Sequence, residues 1–331
     1  MIPSKDISFV VQGPVNREVT PLCLTALREH FPQSEIVLST WEGTDTRDLA
    51  YDTLVLSADP GAVLSMAPDF PIVCHNNGNR QLVSTKAGLR AASRPFAAKL
   101  RSDLLLQGSG WLEHWDRYPH RSADWRMFQE RVIIGNLYAR NPRRDIPKPF
   151  HPSDWFMFGL RDDLLLLWDV DLEPEPESSH WFRTRPKPSS IPRLTDTRRY
   201  YAEQYLWKTL MLKFGNIRFE DLADASDENI RLTRLTFANN LIILEAEQFP
   251  LLIPKGLPRR TWRYACYTHR EWNRLYQQYC GGQPLAATFG RLLDPTHWVT
   301  GIYFLIPHPI RYGAWKLSTM GQQLGGSVSV D

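Results

Sequence analysis

The sequence has no dense basic tract, no paired cysteines, no glycine-rich phosphate loop and no long apolar run. Each absence removes a class of function. With a formal net charge of only +3 and no basic tract, the chain is not composed as a general nucleic-acid binder. Its four cysteines, Cys23, Cys74, Cys266 and Cys280, are far apart and form no CxxC pair. Neither a zinc knuckle nor a disulfide scaffold is therefore expected, and a reducing compartment is favoured. No P-loop or GxGxxG motif occurs, so any nucleotide has to be held by scattered side chains and a metal ion. No stretch approaches ~18 apolar residues, and the opening MIPSKDISFVVQG lacks the apolar segment of a secretion signal. These features point to a cytoplasmic protein. The histidines do not cluster at metal-ligand spacing, and no internal repeat is present.

What is present is the material of a globular α/β protein. Apolar residues make up 43% and aromatics 12% of 331 residues, enough for a substantial core in one large domain with appendages. Ile7-Ser-Phe-Val-Val, Glu35 to Thr40, Asp52 to Ser57 and Phe96 to Leu100 read as strands. Thr20 to Phe31 and His75 to Arg94 read as helices between them. This alternation predicts a mainly parallel sheet with helices on both faces. Further strands are expected at Arg131 to Gly135 and Trp155 to Gly159, and helices at Leu164 to Trp168 (capped by Asp162), Tyr200 to Phe214 and Thr268 to Cys280. Residues 173–199, rich in proline and charge, read as a long mobile loop of the kind that often closes over a site. We expect a main domain over 1–250 and a basic, aromatic extension over 251–331. From residue 251 onward nine basic side chains face three acidic ones, a net of +6. That end suits either a solvated face or an anionic membrane surface, which leaves open a peripheral contact with the cytoplasmic side of the inner membrane.

The chemistry-bearing residues gather at strand ends, where ligands bind in open α/β sheets. Gln12-Gly13-Pro14 ends the first strand, and Gly13 allows close approach of a ligand to the backbone. Glu42 ends the second and can accept from a nucleobase nitrogen or a ribose hydroxyl. Asp59, in Asp-Pro-Gly, reads as a turn former. Arg101-Ser102-Asp103 ends the strand after the His75–Arg94 helix, and Asp103 is suited to a metal that holds a diphosphate. Arg101 and Asp103 are expected to project to the same side, as a structural pair by default and a phosphate site when ligand and ion are bound. Arg80 and Lys86 supply positive charge from the preceding helix. Glu203 leads an apolar stripe with Trp207, Leu210 and Phe214. Desolvation there would raise its pKa and suit it to general-base work, with a first-turn glutamate on the helix dipole as the plainer alternative. Asp154 reads as an acceptor-hydroxyl ligand or a loop residue, and His308, between two prolines, as a metal ligand supplied from the tail.

Taken in order, ISFVVQGPV, SEIVLSTWEG, the DPG turn, NNGNRQLVSTKAGL, KLRSD and HPSDWFMFG resemble the WavE-type lipopolysaccharide synthesis proteins, over residues 5 to about 215. More distantly, the layout is similar to GT-A nucleotide-sugar glycosyltransferases. The resemblance implies an α/β, GT-A-like three-layer sandwich acting on a nucleotide-sugar donor and a glycan or lipid-linked glycan acceptor. It also implies Mn²⁺ or Mg²⁺ on a DxD motif. By position, Gln12, Gly13 and Glu42 would lie along the nucleoside, Arg80 would be the basic residue of the helix before the DxD strand, and Asp103 the final aspartate of DxD. Arg101 stands where the first aspartate would be. Glu203-Gln204 would occupy the place of the catalytic carboxylate motif, with Asp154 as the alternative base. An inert nucleotide-binding scaffold and a sugar-phosphate nucleotidyltransferase are the competing readings. The single basic residue in VQGPVNREVT counts against the nucleotidyltransferase.

Overall fold

Both faces of the strand Ile7–Gln12 (β1) are buried along its whole length, as in a central strand covered by helices on either side. The computed structural model describes residues 2–65, 75–144, 148–186, 197–254 and 265–281. After β1 come α1 (Thr20–His30), β2 (Glu35–Trp41), β3 (Thr53–Ser57), β4 (Val63–Leu64), β5 (His75–Asn76), α2 (Gly78–Ala91), β6 (Phe96–Arg101) and β7 (Leu105–Leu106). They are followed by β8 (Val132–Gly135), β9 (Phe156–Leu160), α3 (Arg161–Trp168), α4 (Ala202–Leu212), α5 (Asp227–Asn240), β10 (Leu241–Leu244), β11 (Leu251–Leu252) and α6 (His269–Tyr279). The main sheet has seven strands in the order β10-β8-β9-β6-β1-β2-β3. Only β9 runs against its neighbours. The result is the α/β architecture with a mainly parallel central sheet that the sequence predicts.

The alternation of side chains along β1 decides which layer each residue meets. Phe9 turns toward Phe31, with ring centroids 4.7 Å apart. On the same side Trp111 packs edge-on against Phe156 and Phe158. Val10 and Gln12 turn the other way, toward α2. There Gly88 lets the helix approach so closely that an added Cβ would stand 2.4 Å from Val10 Cγ1 and 3.0 Å from Ser39 Cβ. Gly88→Ala should therefore destabilise the protein by about 1–3 kcal/mol through overpacking, despite alanine's better helix propensity. A urea midpoint equal to or above wild type would contradict this.

Three expectations need correction. The helix read as starting at His75 starts at Gly78, because His75 and Asn76 pair with β4 and Asn76 Oδ1 accepts from the Gly78 amide at 3.0 Å. α4 ends at Leu212, which leaves Phe214 beyond the apolar stripe and 46% exposed. Asp162 lies within the first turn of α3 and is not its cap; the buried Asp163 beside it accepts from the amides of Gln129 and Glu130. The start of the segment read as a mobile loop is pinned, since Ser178 donates to Glu173 at 2.6 Å and Asn76 donates to Glu175 at 2.9 Å. Residues 187–196 lie outside the described residues, as do 255–264 and 282–331 of the C-terminal extension. Within its described part, α6 packs on α5 and β10. No helix among the described residues is long and apolar enough to cross a membrane.

Candidate active site

The register of the sheet assembles the site. β1 and β6 are parallel, with Gln12 beside Arg101, so both deliver their last residues to one edge. β9 runs the other way and pairs Leu100 with Phe156, so its lead-in, Asp154-Trp155, comes to the same edge. The turns Gln12-Gly13-Pro14 and Arg101-Ser102-Asp103 are tied together there. Ser102 donates from its amide to Gln12 O at 2.9 Å and from its hydroxyl to Pro14 O at 2.6 Å. Gly13 has φ +114 with Ser102 Oγ close by, a conformation that side-chain-bearing residues rarely adopt.

These turns floor a cleft of about 490 Å³ whose lining includes Gln12, Gly13, Pro14, Arg80, Arg101 and Asp103. Its size suits a small-molecule ligand. Six of the residues expected to bind the nucleotide thus meet in one place. Glu42 and Lys86 do not join them. Glu42 is exposed while its neighbour Trp41 lines the cleft, because strand alternation turns consecutive residues apart. Lys86 lies on another face of α2 and pairs with Asp169 at 2.5 Å. Asp59 lines the cleft and does more than form a turn: its carboxylate accepts from Arg80 Nε at 2.7 Å and holds the Gly61 amide at 2.9 Å.

Arg101 and Asp103 form a bidentate pair, Nε to Oδ1 at 2.9 Å and Nη2 to Oδ2 at 2.8 Å. The guanidinium lies 4.5 Å from the Trp155 ring centroid, and Trp155 in turn leans on Tyr138. Tyr138 has φ 64, an uncommon backbone setting for a bulky residue and one often found at functional sites. The Trp155–Arg101 stack orients the guanidinium plane while both groups keep some exposure.

Behind this wall lies a group of buried ionisable side chains. Lys99, on the face of β6 that carries Arg101, is fully buried and donates to the carbonyl of Asp154. Its ammonium lies 4.8 Å from the Trp168 ring centroid. Burial pulls the Lys99 pKa down to about 8 against the opposing pull of Asp154. Burial, with the Glu203 charge adding to it, pushes Asp154 up to about 6. Among the described residues no hydrogen-bond partner meets Asp154 Oδ1. Glu203, at the start of α4, is raised by burial and held back by Arg198, Lys148 and Arg140. His151 Nε2 stands 3.6 Å from Glu203 Oε2, too far for a hydrogen bond, and burial drives the His151 pKa well down so that the ring is neutral. Gln81 lines both the cleft and a small cavity that Asp154 also borders. Through Gln81 the nucleotide-sized space thus adjoins the cavity of Asp154, whose raised pKa is coupled to the Glu203 charge.

The model of the family described as WavE lipopolysaccharide synthesis matches residues 7–296. The chain belongs to the WavE family. Among solved structures, this WavE chain is similar to an active-site mutant of LgtC, at 11% identity over 73% of each chain with a TM-score of 0.28. It is also similar to S. aureus TarS 1–349 in complex with UDP, at 13% identity over 83% of this chain and 65% of that one, again with a TM-score of 0.28. No curated protein matches it.

The divalent cation implied for this WavE site can be tested against its donors. Mn²⁺ and Mg²⁺ seek oxygen ligands. The cleft's two carboxylates are Asp103, bonded through both oxygens to Arg101, and Asp59, bonded through both to Arg80. Among the described residues no group of three or more His, Cys, Asp or Glu could hold a metal ion. A dication on Asp103 would have to share a carboxylate whose two oxygens already accept from Arg101, beside a like charge. The donor set does not fit the ion, and His308 lies outside the described residues. Lys99, Trp155, His151 and Gln81 escaped the sequence reading. The sole signal for Lys99 was a charged residue inside an otherwise apolar strand.

Proposed function

We propose that this WavE chain is a glycosyltransferase that moves a sugar from a nucleotide-sugar donor to a hydroxyl of a lipopolysaccharide or other surface-glycan precursor. The observation that carries the reading is a cleft with two arginines that adjoins the buried Asp154, a carboxylate of raised pKa coupled to the half-buried Glu203. The donor's nucleotide would occupy the cleft, with its diphosphate on the Gly13 turn near Arg80 and Arg101. The acceptor oxygen would attack the anomeric carbon, its proton passing to Glu203, or to Asp154 as the alternative base. The bond from that carbon to the diphosphate oxygen would break with its electron pair, and the arginines would meet the growing charge. A single displacement of this kind inverts the anomeric centre. A cytoplasmic placement, with the basic end peripheral to the inner membrane, accords with a lipid-linked acceptor.

Incubating the protein with a panel of sugar nucleotides should release nucleoside diphosphate from one donor, slowly to water and faster once acceptor glycan is added. Binding without release from any donor under either condition would favour the inert scaffold, and release of pyrophosphate from a sugar phosphate and a nucleoside triphosphate would favour a nucleotidyltransferase.

A further inference from the structure

The cleft carries two arginines, and its two carboxylates are already committed to them. Arg101 presents five N–H donors in a rigid fork, and the bond pair to Asp103 engages only the Nε and Nη2 edge. The guanidinium carbon lies over the Trp155 ring, and the Nη1 side is left outside the bond pair to Asp103. The group lines the cleft together with Gly13 and Arg80. A planar fork held on both an edge and a face is pre-organised, and such forks recognise phosphate oxygens through paired hydrogen bonds. Asp103 is then a positioning residue that aims the fork.

We propose that this chain binds the diphosphate of a nucleoside diphosphate through the Arg101 guanidinium, with Arg80 in support, and needs no divalent cation to do so. The inference rests on the donor-site reading above and deepens it: a side-chain cation on Asp103 takes the part that a metal would play. In the transfer step Arg101 forms no covalent bond. It donates hydrogen bonds to the leaving diphosphate oxygens as the anomeric C–O bond breaks onto them, and the acceptor's proton still goes to the carboxylate base.

The test is calorimetric titration of the full chain with UDP, GDP, CDP, ADP and dTDP in turn. Each is measured once with EDTA and once with excess MnCl₂ or MgCl₂. At least one should bind in EDTA, with a dissociation constant that metal changes by less than about twofold, well inside the range of a single hydrogen bond. Arg101→Met should weaken binding in EDTA by roughly 10- to 150-fold, the range for a charged hydrogen bond. Asp103→Asn, which keeps an acceptor for the fork, should weaken it by less than about fivefold. Thermal melting of both variants checks that they are folded. Metal-dependent binding, or binding lost in Asp103→Asn and kept in Arg101→Met, overturns this inference and leaves the donor site standing. Failure of every nucleoside diphosphate with and without metal overturns both.

Discussion

Glu203→Gln is expected to lower the rate of sugar transfer by about 10²–10⁴-fold, the usual contribution of a general base, while nucleoside diphosphate affinity stays near wild type. The two effects separate because Glu203 does not line the nucleotide-sized cleft, so the substitution removes a proton acceptor without touching the donor's contacts. Shape is conserved as well. Glutamine fills the same space at the start of α4 and can still face His151, which is neutral and within 3.6 Å. The pH profile supplies a second readout. Burial raises the Glu203 pKa, so protonation removes the base at a pH above the ordinary glutamate range. The acidic limb of kcat should therefore lie at higher pH than a solvated glutamate would give. Asp154→Asn distinguishes the alternative. If Asp154, titrating at about 6, were the base, that substitution would abolish transfer and Glu203→Gln would be mild. Because the Glu203 charge is one cause of the raised Asp154 value, Glu203→Gln should also lower Asp154 toward the common range. A Glu203→Gln variant with undiminished kcat would remove Glu203 from the mechanism.

The sheet and the cleft floor were legible because their signals are local. The strands carrying Gln12, Trp41 and Arg101 are apolar runs bounded by turn residues, and their ends predict the cleft without knowledge of the strand order. α5 and β10 were not legible. The inward face of α5 carries Thr233, Thr236, Asn239 and Asn240, which erases the apolar period that marks a core helix. Those side chains are turned inward to satisfy irregular backbone. Asn240 alone accepts from the Met127 amide at 2.8 Å and donates to the carbonyl of Trp125 at 2.7 Å. Partners 113 and 115 residues away cannot be read from spacing. Glu42 failed for the opposite reason: the strand end was right, but a step of one residue chose the wrong face. The coupling of Lys99, Asp154 and Glu203 depends on the antiparallel run of β9, which nothing in the local sequence of β9 declares.

That coupling carries the other large effect. Lys99→Met should destabilise the protein by about 3–5 kcal/mol near neutral pH, the range for removing one partner of a buried charged pair. Methionine matches the length of the lysine stem, so packing against Trp168 is largely kept and the loss is electrostatic. The Asp154 carbonyl loses its donor, and the Asp154 carboxylate loses the nearest compensating charge. The pH dependence follows from two opposite shifts. Asp154 is raised to about 6 and Lys99 lowered to about 8, so anion and cation coexist between those values. Below about 6 the folded state holds Asp154 neutral, a form that needs no cation. Above about 8 the folded state holds Lys99 neutral while the unfolded lysine still binds its proton, so wild-type stability rises with pH there. The difference in stability between wild type and Lys99→Met should accordingly be smallest below pH 6 and grow as pH rises through 6 and again above 8, as read from urea midpoints. Lys99→Met combined with Asp154→Asn should recover at least half of the loss, since the orphaned carboxylate is gone. A pH-independent difference, or a double variant no more stable than Lys99→Met alone, would mean that Lys99 serves packing and not the carboxylate behind the cleft.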